Sequence, residues 1–491
     1  MDIYNKKRQQ TLLILILSIF AAIFCLISFV NHYHFRTYAL DLGMFNQAVF
    51  AISRCKEPIF SLGLEGVETH FLATHFSLIT YLFAPFVYVF GSYTLLIIQI
   101  ASIILGGLAS YKYAKVKFKE SSYVPTIILI QFFCMWGIYS ALSFDFHNNV
   151  IGAMLLLWFV YFLELRRLIL ASLFLLLAVV SQENIALWSI FVLLGLIIKD
   201  WKTKRTYFFK FEYPALLAVV VYTLTVLVVI MPLLQHSANN LQFGRYAHLG
   251  NSFSEIIFKI IENPKYIFSL FFEDVTSQGI TFGIKSELHF MVLVSGGFAL
   301  FYRPAYLIML TPIYAQKLLT NDFVLWGINL QYSIEFVPIL TLCLIDFLES
   351  IKSKKLTYCI AVGTALSTLF FTYRTIETRR SLWYDKTNTA FYDLIHYKTD
   401  LDIGEINTVL TLIPTAATVS TSPAIASHLA YCNKLYHFPI IKDAGYIVLL
   451  KANSTYPLSA EEFSKKEKEL KSNASFQILY DKNDLLILKL K

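Results

Sequence analysis

Long apolar runs recur along this chain, and no other feature constrains its fold as tightly. From Thr11 to Val30 the sequence is almost wholly apolar, and a run of roughly 20 residues is long enough to cross a bilayer as a helix. Further apolar runs occupy about 93–111, 123–142, 150–165, 168–182, 184–198, 213–234, 287–302, 305–320, 333–348 and 356–373, so the sequence predicts eleven spans. Composition agrees: 57% of residues are hydrophobic and 15% charged, against roughly 45–50% and 25% in soluble domains. A disordered chain, a coiled coil and a disulfide scaffold are excluded. The predicted class is an all-α polytopic membrane protein.

One further apolar stretch, His75 to Phe90, is short and broken by Pro85. Charge decides how to read it, because Lys and Arg concentrate in short cytoplasmic loops. If 75–90 does not span, 18 basic residues fall in short cytoplasmic segments: Lys6, Lys7, Arg8, Lys112, Lys115, Lys117, Lys119, Arg166, Arg167, Lys199, Lys202, Lys204, Arg205, Lys210, Arg303, Lys352, Lys354 and Lys355. The short outer loops then hold only Arg36, Arg54 and Lys56. Counting 75–90 as a span moves 15 of the 18 outside. The expectation is therefore a cytoplasmic N-terminus, a retained first helix, and an interfacial or re-entrant helix at 75–90 on the outer side. The same charge asymmetry explains the net charge of +8 without a nucleic-acid partner, and no zinc-finger, P-loop or RNA-binding signature accompanies it.

Under this topology residues 1–373 form the transmembrane domain, with a first outer loop at 31–92 and a large outer loop at 235–287. The second loop alternates apolar and charged residues, as in Ile256-Ile257-Phe258-Lys259-Ile260-Ile261, which suits helices lying in the interface. Residues 374–491 are more polar and read as a small extracytoplasmic α/β domain. Tyr446–Leu450, Ser475–Tyr480 and Leu485–Leu490 look like strands, the last two joined by a turn at Asp481–Asp484. Ser459 followed by Glu461 and Glu462 reads as a helix cap. Cys55 and Cys432 are the two cysteines expected in water, and spacing alone does not say whether they pair.

The polar residues that interrupt the apolar pattern fall on the outer face. Asp41 lies about ten residues beyond the first span. It suits either an N-cap or a general base near the membrane surface. Asp145 and His147 sit in a short inter-span loop, Phe144-Asp145-Phe146-His147-Asn148-Asn149. Asp-x-His places a carboxylate and an imidazole on one side of an extended segment, where they could share a divalent cation; Asn148 suits a helix cap equally well. Glu183 lies at a tight turn between two apolar runs. A carboxylate there is costly against lipid, by ~2–3 kcal/mol, so it is expected to face a polar cavity. In the large loop, Arg245 precedes Tyr246 and suits a phosphate clamp or a headgroup contact.

Taken in order, Asp41-Leu42-Gly43-Met44-Phe45-Asn46-Gln47, His75-Phe76-Ser77 with Ala84-Pro85, Asp145-Phe146-His147, Glu183, Tyr246-Ala247-His248-Leu249-Gly250, Ser420 to His428-Leu429 and Tyr436-His437-Phe438-Pro439 form a pattern. On these residues the sequence resembles a bacterial membrane-protein family, domain-of-unknown-function family 2079, among relatives of the GT-C glycosyltransferases. The resemblance implies a GT-C-like bundle with outer interfacial helices in the cytoplasmic membrane, and a polyprenyl-phosphate-linked sugar donor with an unidentified acceptor. Asp41 takes the first-loop acidic position and Asp145 the second. The second loop has Asp-x-His where such enzymes carry paired acids, and Glu183 stands where some relatives have Lys.

The expected chemistry is glycosyl transfer, with Asp41 as base, Asp145 and His147 holding a divalent cation, and His75, Glu183, Arg245 and Tyr246 lining the pocket. No organic cofactor is expected. A lipid-linked glycan transporter or flippase predicts polar residues spread through the membrane depth, whereas here they gather at one face. A non-catalytic assembly protein is the third reading.

Overall fold

The computed structural model describes residues 2–119, 122–235, 244–250, 252–273, 279–382, 384–452 and 454–491. Among these, six helical segments are long and apolar enough to cross a membrane: Lys6–Tyr33, Thr80–Lys117, Val124–Leu142, Glu183–Lys202, Thr206–Leu234 and Lys354–Glu377. The other five expected spans fold as shorter helices, Asn148–Glu164, Leu168–Val179, Ile284–Val294, Ala305–Leu318 and Phe336–Glu349. At 1.5 Å per residue the 14-residue Phe336–Glu349 reaches about 21 Å, short of a hydrocarbon core of about 30 Å. Nearly every residue of that helix is buried, so its apolar run serves the protein interior. The run at 287–302 is broken at Gly296, whose φ of +109° few other residues adopt.

The 75–90 stretch is not an independent straight span. It folds as short helical turns, Thr80–Phe83, Ala84–Phe86 and Val87–Phe90, and Gly91 (φ +55°) breaks the run before the 24-residue helix Thr94–Lys117 begins. Tyr81, Leu82, Phe86, Tyr88 and Val89 are exposed on it.

Two polar clusters sit at opposite ends of the same three helices. At the C-terminal ends of Thr94–Lys117, Asn148–Glu164 and Glu183–Lys202, Lys117 pairs with Glu164 at 2.9 Å and Lys199 with Asp346 at 3.0 Å. Arg205 grips Glu164 bidentately at 3.1 and 2.8 Å. Tyr113 and Tyr306 donate to Asp346 at 2.9 and 2.6 Å. Buried charges persist only where paired and hydrogen-bonded like this. At the N-terminal ends lie Asp145, His147 and Glu183.

The first loop carries a short antiparallel pair, β1 Ile59–Phe60 and β2 Thr69–His70, and the C-terminal domain holds β3 Thr418–Thr421, β4 Lys434–His437, β5 Tyr446–Leu450, β6 Phe476–Lys482 and β7 Leu485–Leu490 in one five-stranded mixed sheet of order β4-β3-β5-β7-β6. β3 runs parallel to β4 and β5, while β7 runs antiparallel to β5 and β6. The expected hairpin is β6–β7, turned at Asn483 and Asp484, both with positive φ, as a type I′ turn requires. The expected cap is a full capping box between Ser459 and Glu462 at the start of Ala460–Ser472. Cys55 and Cys432 do not pair: Cys55 is exposed, Cys432 buried, and both are free.

This domain does not hang free. Phe35, Ala39 and Leu62 of the first loop complete its hydrophobic core. Asn46 donates to the Ser427 carbonyl at 3.3 Å, Ser61 to the Leu435 carbonyl at 2.7 Å, and Lys434 pairs with Glu68 at 2.6 Å. His428 stacks on His32 at 4.1 Å. Gly66 (φ +60°) lies so close to Ile440 that a Cβ there would come within 2.7 Å of its Cγ2. The loop carrying Asp41 is thus held between the bundle and the sheet domain.

Candidate functional site

Asp41 lies in a π-helical turn, Ala39–Gly43, leading directly into the helix Met44–Ser53. Such turns are rare and recur at functional sites. The N-caps here are Tyr38 and Gly43, and neither makes a side-chain capping bond. The capping reading of Asp41 therefore fails. Its carboxylate instead meets His147 Nε2 at 2.9 Å, with the Asp41 side chain 27% exposed and the His147 side chain 6%.

Asp145 has a different task from the one its spacing suggests. It holds a φ of +85°, uncommon for any residue but tolerated best by Asp and Asn. Its carboxylate accepts the Tyr38 amide at 2.9 Å and is also bonded by the Leu42 amide. Burial pushes the carboxyl well above the usual carboxylate range; the two amides oppose this and the nearby Asp41 charge adds to it. Asp145 thus clamps the turn that carries Asp41. Gln99 completes the loop, donating to the Asp145 carbonyl at 2.7 Å and accepting the His147 amide at 2.9 Å. Asn148, the other candidate cap, donates to Ser77 instead, at 2.5 Å.

His75 and Glu183 form a second pair. Glu183 opens the helix Glu183–Lys202, where the helix dipole favours negative charge, and it accepts the Phe76 amide at 2.9 Å. His75 Nδ1 lies 3.2 Å from Glu183 Oε1 and 3.1 Å from Gln182 Nε2. One nitrogen cannot donate to the first and accept from the second at once, so the protonated ring bonds Glu183 and the bare nitrogen accepts from Gln182. Phe45 lies between the two pairs, near-parallel to His75 at 6.1 Å and edge-on to His147 at 5.9 Å.

Arg245 pairs with Asp322 at 3.1 Å and lies close enough to influence His75 and Tyr332. The structure therefore brings Asp41, Asp145, His147, His75, Glu183 and Arg245 into one neighbourhood. Tyr246 points elsewhere, its hydroxyl donating to the Gln316 carbonyl at 2.9 Å. His70 caps the short helix Phe71–Thr74. Gln242 and Phe243, a few residues before Arg245 in the chain, lie outside the described residues. Three participants escaped the sequence reading. Gln99 was a lone polar residue in an apolar run, a usable signal, whereas Tyr332 and Gln182 carried none.

A divalent cation does not fit this donor set. Among the described residues no group of three or more His, Cys, Asp or Glu side chains gathers at metal-binding spacing. Asp41 and His147 satisfy one another, and Asp145 is taken up by backbone amides. No step below is routed through a metal.

Fold and site together describe a helical membrane protein with two neighbouring carboxylate–imidazole pairs, the loop that carries Asp41 packing against the sheet domain. The chain belongs to domain-of-unknown-function family 2079, described as a predicted membrane protein, the match running over residues 31–486. No curated protein matches it. Among solved structures it is similar to the Archaeoglobus fulgidus oligosaccharyltransferase tethered to an acceptor peptide, with 12% identity and a TM-score of 0.44, covering 86% of this chain and 63% of that one. It is also similar to the archaeal oligosaccharyltransferase AglB from the same organism, in complex with an inhibitory peptide and a dolichol-phosphate, with 12% identity and a TM-score of 0.41, covering 90% and 70%. The chain spans less than two thirds of the length of the first of these.

Proposed function

We propose that this protein transfers a sugar from a polyprenyl-phosphate-linked donor to an acceptor hydroxyl at the outer face of the cytoplasmic membrane, as GT-C enzymes do. The observation that carries this reading is the Asp41–His147 pair. A carboxylate oriented by an imidazole at 2.9 Å, and itself partly exposed, is equipped to take a proton from a hydroxyl. The acceptor oxygen attacks the anomeric carbon, its proton passes to Asp41, and the bond from that carbon to the donor phosphate breaks. Arg245 offers charge for the departing phosphate by exchanging Asp322 for it. The basic cluster at the far end of the same helices supports placing the two pairs outside, by the asymmetry of cytoplasmic charge.

The test is donor turnover by purified protein in lipid nanodiscs, read as release of polyprenyl phosphate from a polyprenyl-phosphate sugar. Asp41→Asn keeps the size and removes the basicity, so turnover is expected to fall by ~10²–10⁴-fold with unchanged expression. Wild-type turnover matched by the variant removes Asp41 from the reaction.

A further inference from the structure

The two carboxylate–imidazole pairs expose opposite members. In the first the carboxylate is the open member, with Asp41 27% and His147 6% exposed. In the second the imidazole is more open, with His75 28% and Glu183 16% exposed. His147 directs Nε2 at Asp41, and its Nδ1 is buried, so it orients the carboxylate and reaches no ligand. His75 does the reverse: Nδ1 is held at Glu183, and Nε2 makes no hydrogen bond among the described residues. We infer that His75, held through Nδ1 by Glu183 with Nε2 left unbonded on a partly exposed ring, is the proton donor to the leaving phosphate oxygen. This rests on the glycosyl-transfer reading above.

Several features keep the ring ready for that work. Glu183 is anchored by the Phe76 amide at the start of its helix, and the near-parallel Phe45 ring lies alongside the imidazole. The charged groups facing His75 are Glu183, Asp41 and Arg245. Burial lowers its affinity for a proton and Arg245 lowers it further, but the hydrogen bond and charge of Glu183, with Asp41, outweigh both and raise it above the ordinary value. His75 and Arg245 are two cationic side chains near the Asp41–His147 pair that a phosphate could meet. The step balances. The acceptor hydroxyl loses its proton to Asp41, and its oxygen bonds the anomeric carbon. The carbon–phosphate oxygen bond breaks with its electron pair going to oxygen, and Nε2–H protonates that oxygen. Asp41 ends protonated and His75 neutral, and exchange with water restores both.

The experiment has two arms on full-length protein in nanodiscs. In the first, protein labelled with ¹³C at its histidine rings is titrated by NMR, with His75→Gln identifying the resonance and the remaining histidines reporting the fold. His75 is expected to titrate above the ordinary value of about 6.5, and Glu183→Gln to lower it. In the second, undecaprenyl monophosphate is titrated into wild type and His75→Gln. Loss of one charge-assisted hydrogen bond is expected to weaken binding about tenfold near pH 6, a gap that closes at alkaline pH as wild-type His75 loses its proton. A His75 that titrates at or below the ordinary value, or a variant that binds like wild type at every pH, overturns the inference and leaves the Asp41 reaction standing. A wild type that binds no undecaprenyl monophosphate, with His75 still titrating high, overturns the lipid-phosphate reading itself.

Discussion

Asp41, Asp145 and Glu183 are all carboxylates that interrupt apolar sequence, yet their surroundings give them three tasks. Asp41 is open and faces an imidazole, Glu183 is anchored and charges one, and Asp145 is buried against amides. The Asp145 assignment has a pH signature. Its carboxyl is raised on folding, so the stability it contributes is fully present below the unfolded value near 3.9 and is lost as pH rises through the folded value. Asn in its place does not titrate, still accepts an amide bond and tolerates positive φ. Asp145→Asn is therefore expected to gain stability relative to wild type as pH rises from about 4 to about 8. Asp145→Ala is expected to lose roughly 2–4 kcal/mol, from an unsatisfied buried amide and from left-handed backbone strain. Thermal unfolding in detergent across pH checks both, and a pH-independent gap between wild type and Asp145→Asn would show that the carboxyl is not raised.

At the scale of elements, close helix packing depends on glycines that leave room for the neighbouring segment. The buried helix Phe336–Glu349 can lie beside Trp136–Leu142 because Gly137 has no side chain: a Cβ there would sit 2.7 Å from the Ser333 carbonyl oxygen. Gly106 is tighter still, but what its Cβ would meet is the Met154 side chain, Sδ first. Methionine is unbranched and can move aside, whereas a backbone carbonyl can move only with its segment. Gly137→Ala is therefore expected to lower stability by more than Gly106→Ala, by about 1–3 kcal/mol for the overpacked site, and to disturb the nearby Asn149–Glu335 contact at 3.1 Å. Parallel denaturation of the two variants gives the ranking; equal losses would mean that the Ser333 segment yields as easily as a side chain.

For the whole molecule, the arrangement to be tested is one membrane between two polar clusters. Cysteine labelling with a membrane-impermeant maleimide separates the sides. In a background with the exposed Cys55 and Cys359 replaced by Ser, a cysteine at Leu394, exposed in the C-terminal region, should label from outside. One at Lys202, exposed at the basic end, should label only after permeabilisation. External labelling at Lys202 inverts the topology and places Asp41 on the cytoplasmic side. The sheet domain also belongs to this scale. Because Phe35, Ala39 and Leu62 are part of its core, it and the first loop form one packed body, although more than 300 residues separate them in the chain.

Much of this was readable from sequence, because the responsible forces are local. Apolar runs bury or cross lipid wherever they stand, so the helical membrane class and the positions of the polar interruptions followed from residue type alone, whereas eleven spans were expected and six helical segments among the described residues are long and apolar enough to cross. The β6–β7 hairpin and the Ser459 cap followed from turn and capping chemistry within a few residues. Other features depended on who meets whom. A 14-residue apolar helix reads like a short span until its neighbours are seen to enclose it. Asp-x-His reads like a pair of ligands until Asp145 is found on the Tyr38 amide and His147 on Asp41, each partner more than 100 residues away. Sequence spacing sets which side chains are available, but hydrogen bonds are made over about 3 Å, and only the tertiary fold decides which atoms come that close.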